Sequence, residues 1–131
     1  MKQDWIKVLI VDDVSEVRQG LATMLKLAAR NFTPKIEVVG DAQNGSHAIE
    51  QAYMLHPDVV LMDLEMPVMD GYTATQHIKS TQPSISVVVL SIHSDPTSRQ
   101  KAFQAGADAF IEKGAPLAEL IQAIQGFRPN S

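Results

Sequence analysis

The sequence has no cysteine, which removes disulfides and thiolate metal sites from consideration. It has no apolar run long enough to span a bilayer, and the opening "MKQDWIK" lacks the hydrophobic stretch of a signal peptide. A cytosolic location is the default expectation. Basic residues form no cluster: the 11 Lys and Arg are scattered and the net charge is −4. Gripping a nucleic-acid backbone needs a basic face, so direct nucleic-acid binding by this chain is not expected. There is no internal repeat, low-complexity tract or glycine-rich loop after the first apolar run, where "DDVSEV" stands instead. A dinucleotide fingerprint or a P-loop is thereby excluded.

What remains is a 131-residue chain, 45% hydrophobic and 20% charged, of a size that builds one core. Five short runs rich in β-branched residues predict strands at Lys7–Val11, Lys35–Val39, Asp58–Met62, Ile85–Leu90 and Ala109–Glu112. The first, third and fourth are nearly all apolar, as strands covered on both faces are. The second carries polar residues and reads as an edge. Between the strands, apolar positions recur at helical spacing over Val14–Arg30, Gly45–Leu55 and Gly71–Thr81. Asp95-Pro96 reads as a cap and first turn, with Gly106 as the stop, and Pro116 opens a last helix that Gly126 ends. Strand–helix alternation repeated five times predicts an α/β fold: a (βα)₅ doubly wound, five-stranded parallel sheet with right-handed crossovers. Residues 1–126 form the expected domain, and 127–131 a tail or the start of a linker.

In an open α/β sheet, ligands bind beyond the carboxyl ends of the strands. The residues at those ends are Asp12 and Asp13 after strand 1, Asp63 after strand 3, Ser91 after strand 4 and Lys113 after strand 5. Asp12-Asp13 taken alone would be turn or cap residues; with Asp63 and Lys113 in register they become a site. Three gathered carboxylates repel, and a divalent cation relieves that conflict. Oxygen-only ligands suit Mg²⁺, or Mn²⁺, better than zinc. A carboxylate nucleophile, a metal, a lysine and a serine together are an apparatus for phosphoryl transfer onto an aspartate.

These residues lie in stretches, "LIVDD" (9–13), "VVLMDLEMPVMDG" (59–71), "VVVLS" (87–91) and "GADAFIEKGAPLAELIQAI" (106–124), that resemble a response-regulator receiver domain of two-component signalling. The resemblance runs from about Ile6 to Ile124, and "IEKGAPLAELIQAI" resembles the NarL/FixJ-type, LuxR-like subfamily. It implies the flavodoxin-like receiver fold with strand order 2-1-3-4-5. It implies Asp63 as phosphoacceptor, with Asp12, Asp13, Asp63 and the backbone carbonyl of Glu65 around Mg²⁺, Asp12 acting mostly through water. Lys113 would pair with the phosphoryl group and Ser91 would hydrogen-bond it, shifting inward as Phe110 turns into the space released. Glu65 and His93, each two residues beyond a site residue, would tune the phosphoryl lifetime. The implied phosphodonor is a sensor histidine kinase or phosphotransfer protein. The implied output is transcription through a DNA-binding domain outside this chain, or, for a stand-alone receiver, a protein partner; homodimerisation on phosphorylation is left open.

The sequence departs from the family pattern twice. Lys113 is followed by glycine rather than proline, and Phe110 lacks the hydroxyl of the commoner tyrosine. Two other functions compete. An aspartyl phosphohydrolase would carry a second Asp two residues after the nucleophile, where Glu65 stands, so no activity on external substrates is expected. A pseudo-receiver used only for association would have lost acids or the lysine. The histidines His47, His56, His77 and His93 show no metal-ligand spacing.

Overall fold

A computed structural model describes residues 5–28, 30, 31 and 34–126; the expected tail, 127–131, lies outside them. The elements are β1 (Ile6–Val11), α1 (Ser15–Ala28), β2 (Ile36–Ala42), α2 (Gly45–Leu55), β3 (Val59–Met62), α3 (Gly71–Thr81), β4 (Ser86–Ser91), α4 (Pro96–Gln104), β5 (Ala109–Glu112) and α5 (Leu117–Gln125). All four strand pairings are parallel, and the order is β2-β1-β3-β4-β5.

Side chains alternate across a strand, so one central strand feeds two cores. Ile6, Val8 and Ile10 of β1 face Leu21 and Leu25 of α1 and Leu120, Ile121 and Ile124 of α5. Leu9 and Val11 face the other way, toward Ala48 and Ala52 of α2, Ala74 and Ile78 of α3 and Ala102 of α4. Burial on both faces explains why β1, β3 and β4 lack polar alternation.

The structure differs from the sequence reading chiefly at β2. The strand continues past Val39 through Gly40, Asp41 and Ala42, because Val39 is an extra residue that lets Gly40 pair with Leu9. Gly40-Asp41 looks like a turn, but backbone pairing does not consult side chains, and a bulge absorbs the misfit. In α5, Pro116 stands at the cap, one position earlier than expected, and Gly126 ends the helix as expected, as its C-cap, though in right-handed geometry (φ −65°) and not as a left-handed stop. Gly106 does act as one: at φ +109° it lets the Ala107 N–H reach back to the Ala102 carbonyl at 3.0 Å. Asn44, Asp70 and Asp95 cap α2, α3 and α4 by accepting from the N–H groups of His47, Thr73 and Ser98.

The chain moves outward from β1 to β2, then crosses back over β1 to β3. Strand order therefore reverses between β1 and β3, and a crevice opens at their carboxyl ends.

Candidate functional site

The crevice is where the acids meet. Val11 is in register with Met62, so the next residues, Asp12 and Asp63, emerge side by side, and the Asp63 N–H donates to the Val11 carbonyl at 3.0 Å. Carboxylate oxygens of Asp12, Asp13 and Asp63 lie within 4.8 Å of one another. Asp12 and Asp63 are buried, at 2% and 6% exposure, whereas Asp13 faces solvent. No other group of three metal-ligating side chains occurs among the described residues. The oxygen-only donor set, open on one side through Asp13, fits a hard divalent cation such as Mg²⁺.

Lys113 arrives from the end of β5. Its Nζ donates to Asp12 Oδ2 at 2.9 Å and stands 3.4 Å from Asp63 Oδ1. Burial by itself would lower the lysine's pKa. The hydrogen bond to Asp12 and the attraction of Asp63 and Asp12 outweigh it, so the net shift is upward from 10.5. Asp63 is pushed up from 3.8, first by burial, against the attraction of Lys113 and with the repulsion of Asp12. Hydrogen bonds from Lys113 and from the Glu65 N–H resist that rise without cancelling it.

The glycine after Lys113 has a geometric reason. The Ala115 N–H donates to the Glu112 carbonyl at 3.1 Å, and Gly114 sits at φ +92° in the third position of that turn. Proline, held near φ −65°, could not occupy it.

The loop between β3 and α3 is held tightly. The Gly71 N–H donates to the Leu64 carbonyl at 2.9 Å, and the Gly45 N–H to the Met69 carbonyl at 2.9 Å. Within the loop Val68 takes φ +71°, with the Met69 N–H bonded to the Pro67 carbonyl at 2.8 Å, a strained γ-turn for a β-branched residue.

Ser91, at 1% exposure, ends β4 at the same rim; its Oγ accepts from the His93 N–H at 3.0 Å, and its carbonyl accepts from the Lys113 N–H at 2.8 Å. Glu65 and His93 lie against each other, Oε1 to Nε2 at 2.7 Å, both largely exposed. Phe110 is already turned inward, in the core on the α2–α3–α4 face, with the Arg99 guanidinium 4.8 Å from its ring centre. Two contributors escape sequence reasoning. Gly71 is one: a Cβ there would fall on the Asp63 carbonyl oxygen and 2.8 Å from Leu64 Cα. The other is Arg18, whose Nη1 donates to the Asp12 carbonyl at 2.7 Å and whose Nε donates to Asp41 Oδ2 at 2.9 Å. An arginine on a helix reads as a solvated charge, and no sequence signal marks it otherwise.

The sequence profile of the response regulator receiver domain matches residues 8–125. The response regulator GacA of Pseudomonas aeruginosa is 41% identical over 120 residues, covering 92% of this chain and 54% of GacA. A protein-glutamate methylesterase/protein-glutamine glutaminase of Methanosarcina acetivorans is 41% identical over 137 residues, covering 95% of this chain and 38% of that protein. The signal receiver domain of the response regulator NarL from Mycobacterium tuberculosis superposes with a TM-score of 0.84 at 30% identity, covering 94% of this chain and 95% of that one. The chain spans about half the length of regulators such as GacA.

Proposed function

The chain belongs to the response regulator receiver domain family, of the NarL/FixJ type, and from that membership we propose that it is a phosphorylatable switch with Asp63 as its phosphoacceptor. The observation that carries the reading is Lys113 Nζ standing between the buried carboxylates of Asp12 and Asp63 at the switch point of the sheet.

An Asp63 carboxylate oxygen attacks phosphorus, a phosphorus–oxygen bond forms, and the bond to the donor's leaving group breaks. The donor in the proposed pathway is the phosphohistidine of a sensor kinase or a phosphotransfer protein. Asp12 (mostly through water), Asp13, Asp63 and the Glu65 carbonyl would hold Mg²⁺, which would neutralise charge on the phosphoryl oxygens. Lys113 pairs with the phosphoryl group, and Ser91 donates its hydroxyl proton to a phosphoryl oxygen. The inward Ser91 shift, with Phe110 already seated in the core, alters the α4–β5–α5 face. In support, α4 buries only Ala102 among its nine residues, so little packing resists its displacement. The domain is proposed to comprise residues 1–126, with 127–131 as a tail or the start of a linker, and to work in the cytoplasm. No helix among the described residues is long and apolar enough to cross a membrane.

Incubation with Mg²⁺ and acetyl phosphate tests the reading. An acid-stable, base-labile phosphate is expected on the wild type and absent from Asp63→Asn; label persisting in that variant would sink it. Trp5 is a poor reporter for metal titration, since it precedes β1 at the opposite end from the acids. The output is proposed to be transcriptional, as membership of the NarL type suggests. A helix-turn-helix segment encoded after Ser131 is the expected finding, and an esterase domain there would overturn it.

Glu65 and His93 meet at 2.7 Å, each two residues beyond a site residue, and the pair is proposed to set the phosphoryl lifetime. Glu65→Ala and His93→Ala are each expected to change the half-life of phospho-Asp63 severalfold in a decay assay. Unchanged half-lives in both would remove the pair from this role.

A further inference from the structure

Asp12 and Asp13 are adjacent but are held in different ways. The Asp12 carboxylate is fixed at both oxygens, accepting from the Val14 N–H at 2.9 Å on Oδ1 and from Lys113 at 2.9 Å on Oδ2. The Asp13 carboxylate is exposed, and no hydrogen bond or ion pair to another described residue holds it. Its aim therefore depends on the backbone that carries it. The peptide unit linking Asp12 to Asp13 is a rigid plane whose carbonyl belongs to Asp12. That carbonyl is the one Arg18 Nη1 grips at 2.7 Å.

Arg18 is itself anchored. Its side chain is only 15% exposed, and its Nε is paired with Asp41 at 2.9 Å, at the end of β2. The Asp12 N–H donates to the carbonyl of neighbouring Ala42 at 3.1 Å, so both sides of Asp12 are tied to the end of that strand. One planar guanidinium thus spans the β1–α1 turn and the edge strand, which a lysine's single ammonium cannot do with the same geometry.

We propose that Arg18, braced by Asp41, is a positioning residue that sets the Asp12–Asp13 peptide and so aims the otherwise untethered Asp13 carboxylate for divalent-cation binding. The inference rests on the reading of the three carboxylates as a metal site.

Its sign separates it from a simple charge effect. Arg18 places a positive charge beside an acidic cluster, so removing it would, through space, make a cation bind more tightly. Loss of positioning makes binding weaker. The measurement is Mg²⁺ affinity by titration calorimetry on the folded protein, with melting of the metal-free protein run alongside to separate binding from stability. Arg18→Ala is expected to weaken Mg²⁺ binding about tenfold, within the range for outer residues that orient metal ligands. Arg18→Lys is expected to recover part of it, and Asp41→Asn to weaken binding by less than Arg18→Ala. In the metal-free protein, the Asp13 and Val14 amides are expected to exchange faster in Arg18→Ala than in the wild type. Affinity equal to or tighter than wild type in a folded Arg18→Ala protein would overturn the inference. Asp13→Asn serves as the control for the site. If it binds Mg²⁺ as the wild type does, the metal-site reading fails and the inference with it; if it loses binding while Arg18→Ala keeps it, the inference alone fails.

Discussion

Asp63→Asn, besides losing the proposed phosphoacceptor, is expected to make the metal-free protein more stable at neutral pH. The wild-type carboxyl has its pKa raised above 3.8 by burial and by Asp12, even with Lys113 pulling the other way. The folded state therefore holds a proton on Asp63 at pH values where the unfolded chain has released it. Stability falls as pH rises from about 3.8 through the higher folded-state value, and the cost is fully present above it. An asparagine carries no charge and avoids that cost. A gain of roughly 0.5–2 kcal/mol is the usual scale for relieving a site of this kind. The measurement is the difference in unfolding free energy between wild type and variant, by urea titration in chelator across pH 4 to 8. The difference is expected to grow with pH. A difference that stays flat, or favours the wild type at pH 7, would contradict the electrostatic account. Mg²⁺ is expected to reverse the order, since a ligand that binds only the folded wild type stabilises it by mass action.

The second large effect belongs to Gly71. Gly→Ala near the start of a helix ordinarily stabilises, by about 1 kcal/mol of helix propensity and reduced freedom in the unfolded chain. Here the added methyl would land on the Asp63 carbonyl oxygen and crowd Leu64 Cα at 2.8 Å and Asp63 C at 2.9 Å. All three are backbone atoms of Asp63, the proposed phosphoacceptor, and of Leu64, and none can swing aside as a flexible side chain would. Overpacking is expected to win, with a net loss of roughly 2–3 kcal/mol, or a melting temperature lower by roughly 5–12 °C. Because the displaced atoms are those of Asp63 and Leu64, Mg²⁺ affinity is expected to fall as well. Gly20→Ala is the matched control, since a Cβ there meets nothing within 4 Å and the change adds helix propensity to α1. If Gly71→Ala proved as stable as Gly20→Ala, the close approach would not constrain the loop.

Both effects depend on contacts between residues remote in sequence, and so do the places where sequence and structure part. The acids can be located because strand ends are legible: an apolar run stops, and the next residue must sit at the rim. Phe110 is legible as a residue of β5, but its inward position against Arg99 depends on α4, which buries only Ala102 and leaves little pattern to read. The extension of β2 through Gly40-Asp41 is hidden because those residues favour turns, and only a bulge opposite Val8 and Leu9 keeps them paired. Gly114 is visible as a departure from the family's proline, whereas the reason, a turn needing φ +92°, is not.

By itself, the sequence determined the (βα)₅ alternation, the buried central strands and the identity of the five rim residues, because burial and periodicity are local properties of the chain. The tertiary structure decided which charges meet: Lys113 with Asp12 across 101 positions, Arg18 with Asp41 and the Asp12 carbonyl, and Glu65 with His93. Those pairings follow from strand order and register, which bring distant residues within hydrogen-bond range. Electrostatic energy depends on those distances and on burial, and neither can be read from spacing along the chain.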